Sequence, residues 1–183
     1  MDDQLEFVKL IASRLDSVGM AYMMTGSMAM AVYSIPRMTR DIDLVVELEP
    51  ADVDKIVNLF SKDCYIDRDS VRQAVDTHSM FNIIHNEWII KADFIIRKNE
   101  EYRREEFSRK QKIVIEDTAV FVVSAEDLIL SKLVWGKESQ SDLHFGDVRQ
   151  MISTVLGLDW EYMEKWAIVL GIHQLLEKAK NNE

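Results

Sequence analysis

Three short stretches hold the residues whose types and spacing could do chemistry. They are Thr25-Gly26-Ser27, Asp41-Ile42-Asp43, and Asp93 within the run Trp88 to Ile96. A Gly-Ser pair that opens a helix suits phosphate, because the first turn presents unpaired backbone N–H groups and the positive end of the helix dipole. Gly26, with no Cβ, lets a ligand approach the backbone closely, and Ser27 adds a hydroxyl. Asp41 and Asp43 alternate onto one strand face, about 7 Å apart along the chain. Carboxylates that converge on an open face repel one another unless cations stand between them. Oxygen-only ligands favour Mg²⁺ or Mn²⁺ over zinc. Asp93 sits among Ile90, Ala92, Phe94 and Ile96, a costly place for a charge without a purpose. Three carboxylates from two strands could hold two ions in the arrangement used for in-line phosphoryl displacement.

Taken singly, each piece has a plain structural reading: Ser27 as an N-cap, Asp41 as a loop cap. The functional reading rests on their combination, and on elements that would bring them together. Leu5, Val8, Leu10, Ile11, Leu15 and Val18 recur at helical spacing, with Gly19 as the stop. Met20 to Thr25 reads as a buried strand, Gly26 onward as a helix ended by Ser34-Ile35-Pro36, and Asp41 to Leu48 as an alternating strand. A helix follows Pro50 over 51–61, and Tyr65-Ile66 reads as a short strand. Ser79 to His85 and Trp88 to Ile96 form a predicted hairpin around Asn86-Glu87. Residues 99–109 read as a helix, and Lys112 to Val123 as strands turning at Glu116-Asp117. Ser124 is a predicted N-cap with Asp127 at the capping-box position. Helices are expected near 125–136, 142–156, 159–170 and 172–180. The fold class is therefore α/β (α+β), a mixed β-sheet core with flanking helices and a helical C-terminal portion.

The bulk numbers narrow the class. The chain has 183 residues, a formal net charge of −10 and one cysteine, Cys64. Acidity argues against nonspecific binding of nucleic acid. The basic residues Arg97, Lys98, Arg103, Arg104, Arg109, Lys110 and Lys112 are interleaved with Glu100, Glu101, Glu105 and Glu106 and read as a solvated helix laced by ion pairs. A single cysteine excludes an internal disulfide framework and a cysteine-rich zinc site, and Cys64 reads as a buried small hydrophobe. His78, His85, His144 and His173 show no metal-ligand spacing. An acidic start and the lack of an apolar run of about 18 residues lead us to expect a cytoplasmic protein with no membrane partner.

Thr25-Gly26-Ser27, thirteen intervening residues, Asp41-Ile42-Asp43 and then Asp93 resemble the nucleotidyltransferase superfamily of the DNA polymerase beta type. The stretch from Pro36 to Asp43 is similar, more narrowly, to a minimal bacterial branch that includes toxins of abortive-infection systems. Ser124 to Leu133, followed by Asp142 and Asp147, is similar to the C-terminal pattern of that branch. The resemblance implies a nucleotidyltransferase core over 1–123 with a helical region over 124–183 packed on it. It implies that Gly26 and Ser27 hold nucleotide phosphates. Asp41 and Asp43 would bind two Mg²⁺ or Mn²⁺ ions, and Asp93 would complete the site and help deprotonate the acceptor hydroxyl. Lys132 would approach the phosphates. Arg37, and less directly Arg40, would neutralise phosphate charge. Asp142 and Asp147 read instead as a helix cap and a salt-bridge partner.

The expected activity is transfer of a nucleoside monophosphate from an NTP to an acceptor hydroxyl, with pyrophosphate released. The acceptor stays open among a tRNA end, a protein side chain and a small molecule. Two alternatives stand beside it: a nucleotide- or partner-binding module that has lost turnover, and a toxin held off by an antitoxin.

Overall fold

The computed structural model describes residues 2–35, 39, 41–139 and 142–181. Seven strands form one mixed sheet in the order β3-β4-β5-β2-β1-β7-β6. They are β1 (Tyr22–Thr25), β2 (Ile42–Val46), β3 (Cys64–Tyr65), β4 (Met80–His85), β5 (Lys91–Ile96), β6 (Gln111–Ile115) and β7 (Thr118–Val122). The strand β2 runs antiparallel to β1 and parallel to β5, and β4 returns antiparallel along the far side of β5. The sheet is thus mixed at its centre, where the carboxylates lie.

Alternation decides which side of the sheet is dry. Ile42, Leu44 and Val46 on β2 are buried, as are Ala92, Phe94 and Ile96 on β5 and Phe81 and Ile83 on β4. Their register neighbours form one apolar face. Phe60 from helix α3 (Val53–Phe60) meets Phe94 edge-on, and Phe81 stacks on Phe94. Helix α1 (Asp2–Ser17) sets Phe7 against His85 and Trp88. The opposite face of β4 and β5 carries Met80, Asn82 and Ile84 across from Ile95, Asp93 and Lys91. Apart from Asp93, these residues are half-buried or exposed.

Helix α4 (Arg68–Thr77) went unseen in the sequence reading. It buries only Val71, Ala74 and Val75, too narrow a stripe to stand out among polar residues. Its start is nevertheless written locally, since Asp67 accepts from the backbone N–H of Ser70 at 2.8 Å. It ends with His78 at φ 49, a left-handed cap.

After α5 (Glu101–Ser108), the last third of the described chain is helical: α6 (Ala125–Ser139), α7 (Asp142–Thr154), α8 (Trp160–Val169) and α9 (His173–Lys180). Asp127 ties these helices to the strand region. It is fully buried and accepts from Ser124 Oγ at 2.6 Å, Tyr162 Oη at 2.6 Å and Arg109 Nε at 3.1 Å. The Arg109 guanidinium lies over the Tyr162 ring, 3.8 Å from its centroid. Arg103 bonds both Glu106 and Ser131. These two arginines of the basic stretch are therefore partners of α6, not part of a solvated face. Ser124→Ala removes the cap of α6 and one of the three side chains that hold the Asp127 carboxylate. It is expected to cost about 1–2 kcal/mol, read as a lower urea midpoint with an unchanged m-value.

No helix among the described residues is long and apolar enough to cross a membrane. Cys64 is buried, and burial pushes its thiol up to about 12, the inert character expected of it.

Candidate active site

The site is built across three adjacent strands. Thr25 at the end of β1 is the register partner of Asp43 on β2, and Asp43 is the register partner of Asp93 on β5. Opposed residues on neighbouring strands point to the same face, so the two aspartates stand side by side. Asp41 lies one residue before β2 and is exposed.

Helix α2 (Gly26–Tyr33) springs directly from β1. Its first residue, Gly26, has φ +68, a conformation that favours glycine. A Cβ at this position would lie 2.0 Å from Asp43 Oδ2. The N-terminus of the helix therefore abuts the carboxylate strand, in a contact that only a glycine hydrogen permits. The first turn holds no acidic side chain, and the capping residue Thr25 makes no side-chain cap bond. Ser27 is buried at the same corner.

Both register neighbours of Asp43 carry a buried, orphaned oxygen. Thr25 Oγ1 and Asp93 Oδ1 have no hydrogen-bond partner among the described residues. Such groups are costly unless something else completes them. The Asp93 side chain accepts from Lys91 Nζ at 2.7 Å through its other oxygen, and the same ammonium lies 3.7 Å from Asp41 Oδ1. Lys91 was not singled out from the sequence. The available signal was its position, two residues before Asp93 on an alternating strand and hence on the same face.

Burial, then the charges of Asp93 and Asp41, raise the Asp43 carboxyl from 3.8 to about 6, against the opposing influence of Lys91 and Lys132. An acid whose folded-state pKa is raised binds its proton earlier in the folded chain than in the unfolded one. Its contribution to stability therefore improves as pH falls through about 6 towards 3.8 and is lost again as pH rises. In EDTA, wild type is expected to gain more stability than Asp43→Asn between pH 7 and pH 5. Parallel urea titrations of the two proteins measure that difference.

Lys132 on α6 and Asp147 on α7 form a buried ion pair at 2.6 Å. The lysine charge is felt at Asp43, so α6 faces the carboxylate corner. Asp147 is the salt-bridge partner expected of it, and Asp142 begins α7. Arg37 and Arg40 lie outside the described residues.

The donor set fits a hard divalent cation. It consists of carboxylate oxygens only, two of its residues are opposed across strands, and two nearby oxygens lack partners. Among the described residues, no three acidic, histidine or cysteine side chains are gathered into a ready-made metal cage. Asp41 stands outward, and the Lys91 ammonium holds the space between it and Asp93.

No protein-family model matches the chain, and no curated protein matches it in sequence. Solved structures do. The antibiotic-resistance factor ANT(2'')-Ia is 15% identical and covers 100% of this chain and 99% of its own, with a TM-score of 0.63. An antigenic nucleotidyltransferase-like protein from Paracoccidioides brasiliensis is 16% identical over 98% of this chain and 93% of its own, with a TM-score of 0.59. The lincosamide antibiotic adenylyltransferase LnuA, in a lincomycin-bound structure, is 12% identical over 84% of this chain and 97% of its own, with a TM-score of 0.55. These likenesses show that the chain has the fold of nucleotidyltransferase-like proteins, a mixed sheet with flanking helices.

Proposed function

We propose that the protein transfers a nucleoside monophosphate from an NTP to a hydroxyl group of a small-molecule acceptor. The acceptor oxygen bonds to the α-phosphorus, the bond from that phosphorus to the bridging oxygen breaks, and pyrophosphate leaves. The observation that carries this reading is the contact between the N-terminus of α2 and the carboxylate strand at Gly26 and Asp43. It supports the reading because a phosphate held at that N-terminus and a cation held by that strand would lie close together, as transfer at a phosphorus atom requires.

Asp41, Asp43 and Asp93 would hold two Mg²⁺ or Mn²⁺ ions, which when bound supply charge neutralisation and activation of the acceptor oxygen. The backbone of Gly26 and Ser27 orients the triphosphate at the helix N-terminus. Asp93 accepts the proton of the acceptor hydroxyl. Lys132 and Arg37 offset negative charge on the phosphates. The lincomycin-bound structure of LnuA supports a small-molecule acceptor, and the net charge of −10 weighs against a long nucleic-acid footprint.

The test supplies each of the four α-labelled NTPs with Mg²⁺, first with cell extract and then with a panel of hydroxylated small molecules, aminoglycosides and lincosamides included. Label transfer together with pyrophosphate release, both lost in Asp43→Asn, is the expected result. If no combination yields label or pyrophosphate above the Asp43→Asn background, the reading is wrong.

One observation favours a second reading, a nucleotide-binding module without turnover. It is the Lys91 ammonium standing across Asp41 and Asp93, where a cation would bind. That reading predicts nucleotide binding by calorimetry with no pyrophosphate released. No feature of the described residues favours a toxin or points to an antitoxin.

A further inference from the structure

Asp93 is shut away by its own strand neighbour. The residue is 7% exposed, Oδ2 is taken by Lys91, and Oδ1 is buried without a hydrogen-bond partner among the described residues. In this arrangement Asp93 can neither ligate a cation nor take a proton from an acceptor. The group that closes it is movable. The Lys91 side chain is 41% exposed and lies at the first position of β5. Its four-carbon stem can swing outward without any shift of the backbone.

The ammonium is also well placed to stand in for a metal. It contacts Asp93 at 2.7 Å and Asp41 at 3.7 Å, and so bridges the two outer carboxylates of the three. These contacts hold Lys91 in its charged form above the usual lysine range, the hydrogen bond to Asp93 foremost. A divalent ion bound to the same Asp93 oxygen would lie within a few ångströms of the ammonium nitrogen. Two cations so close, in a half-buried corner, repel strongly. The two compete for that oxygen, and the ammonium, on its flexible and part-exposed stem, is the one free to leave.

We propose that Lys91 is a displaceable internal counter-ion: it neutralises the carboxylate site when no divalent ion is bound, and the incoming ion evicts it. The inference rests on the reading of Asp41, Asp43 and Asp93 as the metal site. It gives Lys91 two opposed effects. The lysine stabilises the metal-free protein by relieving repulsion among the carboxylates, and it weakens metal binding because each ion must first displace it. Lys91 acts through Asp93 and Asp41 and is a positioning residue.

The test measures Mn²⁺ binding by electron paramagnetic resonance and thermal midpoints with and without Mn²⁺, in wild type, Lys91→Met, Lys91→Gln and Lys91→Arg. The neutral variants are expected to bind Mn²⁺ about 10-fold more tightly, taking as a guide the pKa shift of about one unit or more that one adjacent charge gives a carboxyl group. They should melt lower than wild type in EDTA and gain more on adding Mn²⁺, and Lys91→Arg should follow wild type. If Lys91→Met and Lys91→Gln both bind Mn²⁺ with wild-type or weaker affinity, the counter-ion role is wrong while the metal site stands. If wild type and the neutral variants all leave Mn²⁺ free at millimolar concentrations, the metal reading falls and takes this inference with it. Circular dichroism of each variant identifies one that fails to fold, and Met and Gln serve as independent neutral replacements.

Discussion

Asp43→Asn is expected to lower kcat/KM for nucleotidyl transfer by about 10³-fold, the loss that follows removal of one preorganised charge from a phosphoryl- or acyl-transfer site, while the metal-free protein melts no lower than wild type. The two halves of this expectation have one cause. Asp43 is desolvated and repelled by Asp93 and Asp41, so its negative charge is a burden on the fold unless a cation offsets it. Asparagine keeps the shape and removes the charge. Stability is therefore held or raised, and a cation bound there would lose a central ligand. Initial rates of label transfer, Mn²⁺ titration and a thermal melt in EDTA read the three quantities. Activity within 10-fold of wild type would remove Asp43 from the metal site.

Lys132→Ala is expected to give the largest loss of stability of any single side chain discussed, about 3–5 kcal/mol. That is the cost of breaking a buried ion pair on one side only. Lys132 is 1% exposed and Asp147 5%, and truncating the lysine takes its ammonium away from a buried carboxylate between α6 and α7. The urea midpoint should fall steeply. Lys132→Met combined with Asp147→Leu removes both charges and should recover most of the loss, since a buried pair replaced by apolar groups is often neutral. This double variant also separates the roles of the lysine. If it folds well but transfers label as slowly as Asp43→Asn, the Lys132 charge serves the reaction. If it is as active as wild type, Lys132 serves only the packing of α6 on α7.

The placement of Asp43 and Asp93 could be read from the sequence because it is written in local pattern. Each takes a position on the less buried face of an alternating strand, and Gly26-Ser27 marks a strand-to-helix turn. Those signals need only neighbours in the chain, and the boundaries of β2, β5 and α2 fall within a few residues of the expected ones. What escaped depends on distant partners. The Arg103 and Arg109 side chains look like parts of an ordinary charged helix until α6 is folded against them. Asp127 looks like a capping residue, and its bonds to Tyr162 and Arg109 span 35 and 18 positions. Lys91 was missed for a different reason. Its spacing from Asp93 was visible, but a lysine at a strand end is commonplace, and only the 2.7 Å contact gives it meaning.

The missing side chain of Gly26 makes a test for kinship. Any substitution there would drive a Cβ to 2.0 Å from Asp43 Oδ2, so the glycine is held in place by the aspartate that stands against it. A relative that keeps Asp43 but replaces Gly26 must have turned that carboxylate aside or moved the strand or the helix. A relative that has lost Asp43 is released from the contact and keeps only the left-handed backbone at φ +68 to favour glycine, so drift at this one position marks a chain in which no carboxylate stands against the helix.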